Sequence, residues 1–393
     1  MISPWQLLLF WIIIDVPYLV YRVLLIFHHS KRLNLTGKPL VSIIVPAYNE
    51  APCIEKTLIS CINQSYPNFE VIVVNDGSTD NTGEIVENFK RDNEQILKKR
   101  NISFILLNQK NKGKARALNT GKDHAKGNFL ITIDADSYLH HLAAERIIGY
   151  FSSEDIGAVA GNIQAISGGK LLGYVQKIEY ELGIYFLRES QAALGGVLVT
   201  PGAFSAYRKD AIKKFEEGTL TEDFDSSIRT LERGYKIVMA PDAYCYTQVP
   251  LSISDLIKQR VRWQQGGLEV FAKHAFHEKR FSVSIEWFFL FFFGFYGLFT
   301  KILGLVIIPV ILISQGFISL LSYLGFFAVY TLFIHALQFS IVNIKSKDKK
   351  AVLATPLFIL YYYTLVMYSV LVAQIIIFNK KKSTWEKIKR YHT

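Results

Sequence analysis

The sequence predicts an α/β domain with a mostly parallel sheet, set between apolar segments of membrane-spanning length. Three observations carry this prediction. Short runs rich in Ile and Val alternate with helix-like stretches after residue 40, which is the pattern of βαβ units. Polar clusters follow three of those runs at their carboxyl ends. Long apolar stretches lie towards the two ends of a 393-residue chain, a length that as a prior holds two domains.

The predicted strands are 41–46 (VSIIVP), 70–75 (EVIVVN), 102–107 (ISFILL) and 129–134 (FLITID). Each has the length of a fully buried strand. Helix-like stretches lie near 51–63, 80–92 and 112–125, with Thr79-Asp80 offering an N-cap to the second. Ala47-Tyr48-Asn49-Glu50 follows the first strand, Asp76-Gly77-Ser78 the second, and Asp134-Ala135-Asp136 closes the fourth. That edge of an open α/β sheet is where ligands bind. Polar surface loops account for one such cluster, but poorly for three. From 150 to 280 the alternation is less regular. It contains a strand at 158–166, a long helix at 171–190, a Gly-rich turn at 194–203, a helix opening at Thr221-Glu222-Asp223 and an amphipathic helix at 252–273.

Residues 5–27, 284–314, 316–342 and 353–378 are each long enough to cross a ~30 Å hydrocarbon core. A cleaved signal peptide is the competing reading of the first, but no Lys or Arg precedes it, and Asp15 and Pro17 sit inside it. Asp15 reads either as a functional intramembrane carboxylate or as a helix end near water, with Arg22 snorkelling to the interface. The expected organisation is therefore an N-terminal transmembrane helix in 1–30, an α/β domain over 35–280 ending in an interfacial helix, a transmembrane region over 284–380 and a basic tail over 381–393.

The net charge is +11. Lys and Arg cluster beside the apolar segments, at 28–38, 345–350 and 380–390. Such flanks mark cytoplasmic sides and contact with anionic lipid. They predict an integral membrane protein of the cell membrane with its α/β domain in the cytoplasm. No nucleic-acid motif accompanies the charge, so a nucleic-acid partner is not expected. The flanks at 345–350 and 380–390 both read as cytoplasmic, which one crossing at 353–378 does not satisfy. Re-entry, a different division of 284–314, or an exception to the rule all stay open. The three cysteines, Cys53, Cys61 and Cys245, lack CxxC spacing. They predict neither a disulfide framework nor a zinc site, and fit a reducing compartment.

Asp134-x-Asp136 at a strand end offers oxygen ligands to a hard cation such as Mg²⁺ or Mn²⁺, which often bridges carboxylates to substrate phosphates. Lys112, Lys114 and Arg116 beside Gly113 read as a diphosphate cradle or as a solvated basic helix end. Thr221-Glu222-Asp223 reads as ordinary N-cap chemistry or as the site of a general base, Asp223, aimed at an acceptor hydroxyl. Gln259-Arg260-Val261-Arg262-Trp263 lies on the amphipathic helix. Trp263 there reads as a membrane anchor, or joins Gln259 and Arg262 in gripping a diphosphate and stacking on a sugar ring.

Taken together and in order, VPAYNE (45–50), NDGSTD (75–80), NKGKARALN (111–119), DAD (134–136), TED (221–223) and QRVRW (259–263) resemble the processive family-2 glycosyltransferases. These are the inverting membrane enzymes that include cellulose, chitin, hyaluronan and poly-N-acetylglucosamine synthases. The resemblance covers roughly 35–280 and the membrane layout. The fold it implies is GT-A, a nucleotide-binding Rossmann-like α/β domain, cytoplasmic and flanked by transmembrane helices. It implies contacts of Tyr48 and Glu50 with the nucleobase and of Asp76 with the nucleoside. Lys114 would approach the donor phosphate, and Asp136 with Asp134 would hold a Mg²⁺ or Mn²⁺ ion on the diphosphate. Asp223 would be the catalytic base. Gly202 would line the acceptor end, and Gln259, Arg262 and Trp263 would close the acceptor and diphosphate site.

The implied partners are a nucleotide-sugar donor, a UDP-sugar in this reading, a polysaccharide or lipid-linked acceptor, and membrane lipids. The implied enzyme is a hexosyl- or N-acetylhexosaminyltransferase that inverts the anomeric carbon. Two departures stand out. Position 75 is Asn where many relatives carry Asp, and one apparent span precedes the domain where many processive synthases have two. The poly-N-acetylglucosamine branch is most alike, through VPAYNE, NDGSTD and RVRWQQGG. Ceramide glucosyltransferases resemble the chain in the same motifs, which keeps transfer of a single sugar to a lipid as the alternative. A non-catalytic scaffold would have lost Asp134, Asp136 or Asp223, and all three are present.

Overall fold

The computed structural model describes residues 4–27, 37–274, 281–346 and 355–378. The expected basic tail at 381–393 and the basic flank at 380–390 lie outside the described residues, as does most of the flanks at 28–38 and 345–350.

The chain opens with α1 (Pro4–Ile26), followed by β1 (Val41–Ala47), α2 (Ile54–Ile62), β2 (Phe69–Asp76), α3 (Thr82–Asp92), α4 (Glu94–Lys99), β3 (Ser103–Gln109), α5 (Lys114–His124) and β4 (Phe129–Ile133). Next come β5 (Ser137–Leu139), α6 (Ala143–Ile148), β6 (Ile156–Ile166) and a helix in three parts: α7 (Leu171–Glu179), a π-helical segment (Tyr180–Phe186) and α8 (Leu187–Ala192). The remaining elements are β7 (Phe204–Arg208), α9 (Glu222–Glu232), β8 (Lys236–Gln248), α10 (Ile253–His274), α11 (Phe281–Ser346), α12 (Thr355–Tyr361), a π-helical turn and α13 (Met367–Phe378).

One eight-stranded sheet runs in the order β3-β2-β1-β4-β7-β6-β8-β5. Its first four strands are parallel, as the βαβ pattern predicts. Val71, Ile72, Val73 and Val74 of β2 are all fully buried, because helices cover both faces of a parallel sheet and leave no polar face to alternate with. The expectation of a mostly parallel sheet fails beyond β4. There β7 is antiparallel to both β4 and β6, and β5 is antiparallel to β8, while β6 and β8 are parallel. The cause is connectivity. The strand at 204–208 re-enters between β4 and β6, and strand direction is not written in hydrophobic runs.

Two other local expectations are corrected. Asn81, not Thr79 or Asp80, precedes α3, and no capping side-chain bond comes from it. Asp80 nonetheless serves that helix, accepting the Thr82 N–H at 3.0 Å. The helix expected at 171–190 is interrupted by its π-helical segment.

Towards the carboxyl end, Val306–Ile334 is the one helical stretch among the described residues long and apolar enough to cross a membrane. Non-helical geometry at Gly316 (φ 83°) lies inside this stretch and breaks α11 there, between the two apolar stretches read from the sequence. The stretch leaves large apolar side chains uncovered, Ile313 at 86% and Ile318 at 81% exposure.

Arg22 does not snorkel. Its guanidinium is 1% exposed against a fully buried Glu286, held by two parallel bonds of 2.8 and 2.7 Å. Arg22 also reaches Ser190 Oγ at 3.3 Å, and Gln191 Nε2 donates to Glu286 at 3.0 Å. The rings of Tyr18, Tyr21 and Phe289 surround the guanidinium. The pair therefore ties α1 to the start of α11 and to α8 of the α/β domain. A buried charge left without its partner is strongly destabilising, whereas apolar replacement of a whole pair is often neutral. Arg22→Met is accordingly expected to cost about 3–5 kcal/mol, and Arg22→Met/Glu286→Leu far less. Thermal unfolding of the detergent-solubilised variants tests this, and equal losses in the two would refute it.

Candidate active site

β2, β1 and β4 are adjacent and parallel, so the residues that follow them reach one sheet edge. After β1, Tyr48 is partly buried and Asn49 takes a left-handed φ of 55°. The Asn49 side chain accepts from the backbone N–H of Thr79 (2.7 Å), and the Glu50 N–H donates to Thr82 Oγ1 (2.8 Å). These bonds knit the loops after β1 and β2 together. Asn75 donates to Asn108 Oδ1 at 2.9 Å and accepts the Ser78 N–H at 3.1 Å. An Asp at that position could not make the first bond, since an ionised carboxylate only accepts.

Asp76 is 3% exposed. Its Oδ1 accepts from Gln109 Nε2 (2.6 Å) and the Lys112 N–H (3.0 Å), and its Oδ2 accepts from the Gly113 N–H (2.9 Å). The carboxylate thereby closes the turn that delivers Lys114 as the first residue of α5. Gly77 makes the close approach possible: its φ is +71°, and a Cβ there would sit 2.6 Å from Asn111 N.

Asp134 and Asp136 flank a tight turn after β4, in which the Ser137 N–H bonds Asp134 O at 3.0 Å. Thr57 of α2 holds the intervening Ala135 carbonyl at 2.8 Å. Asp136 is buried and accepts from Ser137 Oγ at 2.9 Å. Lys114 Nζ lies 2.5 Å from Asp134 Oδ1 and 3.1 Å from Glu222 Oε1. Asp223 is oriented by two backbone donors at 2.9 Å, the Gly202 N–H on Oδ2 and the Phe224 N–H on Oδ1. A Cβ on Gly202 would fall 2.7 Å from Lys114 Nζ and 3.3 Å from Asp223 Oδ2, so only glycine leaves room for both.

The electrostatics follow from this packing. Burial disfavours the Lys114 charge, but Asp134, Glu222 and Asp223 together raise its pKa above the ordinary lysine value. Burial and then Glu222 push the Asp223 carboxyl up, and Lys114 and the two N–H groups oppose them without cancelling the rise. Thr221 precedes α9 but makes no capping side-chain bond. Its hydroxyl is buried without a hydrogen-bond partner, because α10 packs onto it: a Cβ on Gly266 would lie 2.4 Å from Thr221 Cγ2. The capping expectation for Thr221 is thus corrected.

Gln259, Arg262, Trp263 and Gly266 share one face of α10 at spacings of three, four and seven. Arg262 Nη1 reaches the Leu220 carbonyl at 3.5 Å, just before the first turn of α9 that bears Asp223. The Trp263 ring centroid lies 6.4 Å from that of Tyr180 and 4.3 Å from Arg260 Cζ. Gln259 is buried and accepts from Arg260.

Lys114, Asp134, Gly202, Glu222 and Asp223 are thus in direct contact. Glu50 and Asp76 lie along the same edge, Glu50 bonded through its N–H to Thr82 and Asp76 to residues 109–113, with Tyr48 two residues before Glu50. Sequence reasoning missed three groups. Arg260 binds Glu179 at 2.9 and 2.5 Å and Tyr361 at 3.4 Å, anchoring α10; its place inside QRVRW was the available signal. Asp225, two residues after Asp223, pairs with Arg229 (2.5 Å), Lys273 (3.0 Å) and His274 (3.2 Å). Arg188 of α8 lies near Asp223 and Tyr180, and burial pulls its pKa down to about 10 against the pull of both. No motif marked it. Among the described residues no group of three or more His, Cys, Asp or Glu side chains gathers to hold a metal.

Two family models match the chain: glycosyl transferase family 2 over residues 42–215 and glycosyl transferase family group 2 over 129–378. A poly-beta-1,6-N-acetyl-D-glucosamine synthase of Staphylococcus aureus (strain COL) is 33% identical over 294 residues, covering 71% of this chain and 69% of that one. The enzyme of the same description from Staphylococcus epidermidis is 30% identical over 374 residues, covering 90% and 86%. Among solved structures, a mannosyltransferase from Pyrobaculum calidifontis in complex with GDP-Man and Mn2+ superposes with a TM-score of 0.60 at 20% identity, over 93% of this chain and 95% of that one. The chain belongs to glycosyltransferase family 2, is a glycosyltransferase with a GT-A-like fold, and is homologous to the poly-β-1,6-N-acetylglucosamine synthases.

Two outcomes follow from the geometry. Gly202→Ala is expected to displace Lys114 from Asp134 and lower sugar transfer about a hundredfold, the scale of a 1 Å misplacement in a catalytic site, while thermal unfolding stays near wild type. Retained activity would show that the contact is dispensable. His274 is also bonded through Nδ1 to Glu232 at 2.8 Å, and Asp225 and Glu232 raise its pKa against burial, which works to lower it. Its contribution to stability is therefore complete below the unfolded value of about 6.5 and lost as pH rises through the higher folded value. The melting-temperature advantage of wild type over His274→Gln should shrink on going from about pH 6 to about pH 9. A constant difference would refute the linkage.

Proposed function

We propose that this family-2 glycosyltransferase transfers a sugar from a UDP-sugar donor to a growing β-linked polysaccharide at the cytoplasmic face of a membrane, with inversion at the anomeric carbon. The observation that carries this reading is the contact of Asp134, Glu222 and Gly202 with Lys114, beside Asp223 and at the strand edge where ligands bind. Tyr48, Glu50 and Asp76 fit the nucleoside end of that edge. Lys114 fits the diphosphate, with Arg262 approaching from α10.

In this reading Asp223 takes the proton of the acceptor hydroxyl as the new bond forms, because that hydroxyl is far too weak an acid to ionise at neutral pH. The two N–H groups on Asp223 fix its carboxylate and leave further lone pairs for the incoming proton. In-line displacement inverts the anomeric carbon, so an α-linked donor yields a β-linked product, and no covalent intermediate is required. Asp136 and Asp134 would hold Mg²⁺ or Mn²⁺. Two carboxylates without a third protein ligand fit a cation that keeps waters and substrate phosphates as its other ligands. The ion would supply charge neutralisation for the departing diphosphate. Trp263 fits stacking on a sugar ring beside Tyr180. The homology to poly-β-1,6-N-acetylglucosamine synthases supports N-acetylglucosamine as the sugar and a polymer as the product. The uncovered apolar side chains of Val306–Ile334 support a membrane position.

Membranes carrying the chain, given single UDP-sugars with Mg²⁺ or Mn²⁺, are expected to form a long product that chelation abolishes. Asp223→Asn is expected to lower the rate by about 10²–10⁴. A short lipid-extractable product would replace the polymer with a glycolipid, and an unaffected Asp223→Asn would remove the base.

A further inference from the structure

The three-part helix between β6 and β7 places an arginine where no motif asks for one. α7 ends at Glu179, the π-helical segment runs from Tyr180 to Phe186, and α8 resumes at Leu187. Single-turn π segments of this kind recur at functional sites. Tyr180, which opens the segment, sits by Trp263. Arg188, just past its end, lies near enough to Asp223 and Tyr180 for both to favour its charge.

Arg188 Nη1 is buried and donates to nothing among the described residues. The buried Arg22 Nε shares that lack of an acceptor, so the difference lies in what the rest of each guanidinium binds. Arg22 and Arg260 are also buried, and each places its guanidinium on a carboxylate, Glu286 and Glu179. The two residues that follow Glu189 on α8 are likewise engaged, Ser190 with Arg22 and Gln191 with Glu286. A buried N–H without an acceptor is costly and needs an explanation such as a ligand. The Asp223 carboxylate is close enough to act on Arg188 electrostatically, yet it takes its hydrogen bonds from Gly202 and Phe224 instead. Lys114, by contrast, is bound to Asp134 on the diphosphate side. Arg188 thus lies near Asp223 and Tyr180, and Tyr180 in turn neighbours Trp263.

We propose that Arg188 binds the terminal sugar of the acceptor, donating from Nη1 to an oxygen next to the hydroxyl that Asp223 deprotonates. A sugar hydroxyl, a ring oxygen or an acetamide carbonyl satisfies that donor equally. The bond fixes the ring so that the reacting hydroxyl faces the carboxylate. This rests on the reading of Asp223 as the base.

The test uses the purified full chain in detergent, UDP-N-acetylglucosamine as donor and a β-1,6-linked N-acetylglucosamine pentamer as acceptor. Arg188→Gln is expected to raise the KM for the pentamer about 10- to 100-fold, the range for a hydrogen bond to a charged group, and to leave calorimetric binding of UDP unchanged. Arg188→Lys is expected to recover part of the loss, since it restores the charge without the planar fork. An unchanged pentamer KM overturns the proposal. So does weakened UDP binding, which would move Arg188 to the donor side. If Arg188→Gln has no thermal transition, Arg188→Lys carries the test alone, with a raised pentamer KM and unchanged UDP binding as the required result. Asp223→Asn separates the two readings. If it stays active, the base assignment fails; if it is inactive while Arg188→Gln behaves as wild type, only the Arg188 inference fails.

Discussion

One ammonium group, Lys114 Nζ, sets the terms for the rest of the site. Asp134, Glu222 and Asp223 come from two distant parts of the chain, and where they are partly buried together their mutual repulsion would push them apart or neutralise them. Lys114 sits in contact with the first two and beside the third. It can do so because of two supports behind it. Asp76 closes the turn that begins α5, and Gly202 omits the side chain that would occupy the same space. Charge balance, rather than apolar packing, therefore determines how the end of β4 meets the start of α9.

Around that centre, charged pairs join elements that the sheet alone does not connect. Asp225 links α9 to the last turn of α10 through Lys273 and His274. Arg260 links α10 to α7 and α12 through Glu179 and Tyr361. Arg22 links α1 to α8 and α11 through Glu286. Each pair reaches an element that borders the site or the apolar helices. Buried ion pairs add little net stability, but breaking one is expensive, so they specify relative placement better than they strengthen the fold. The helices flanking the α/β domain are thereby attached to it at defined points: α8 beside Arg188 and α10 beside Trp263.

Legibility in the sequence tracked the range of the underlying physics. VSIIVP, EVIVVN and FLITID announced buried parallel strands because burial on both faces is written into every residue. The clusters after them announced a site because strand ends of a parallel sheet converge. The DAD, TED and QRVRW segments were visible as local concentrations of chemistry. The strand 204–208 gave no sign that it would run antiparallel between β4 and β6, since direction depends on the path of the chain and not on composition. Thr221 carried the signature of a cap, yet its hydroxyl is turned into packing against Gly266, an outcome set by a helix some forty residues away.

By itself, then, this sequence determined the alternation of elements, the edge at which polar residues collect, and the residue types available for nucleotide-sugar chemistry. Those are consequences of periodicity and local propensity, which act over a few residues. Only the tertiary structure decided which carboxylates share Lys114, that Arg22 is buried on Glu286 rather than extended to an interface, and that Arg188 comes near enough to Asp223 to feel its charge. The reason is that pairing of charges depends on distance in space and on the dielectric of their surroundings, and neither is a property of neighbouring positions in the chain.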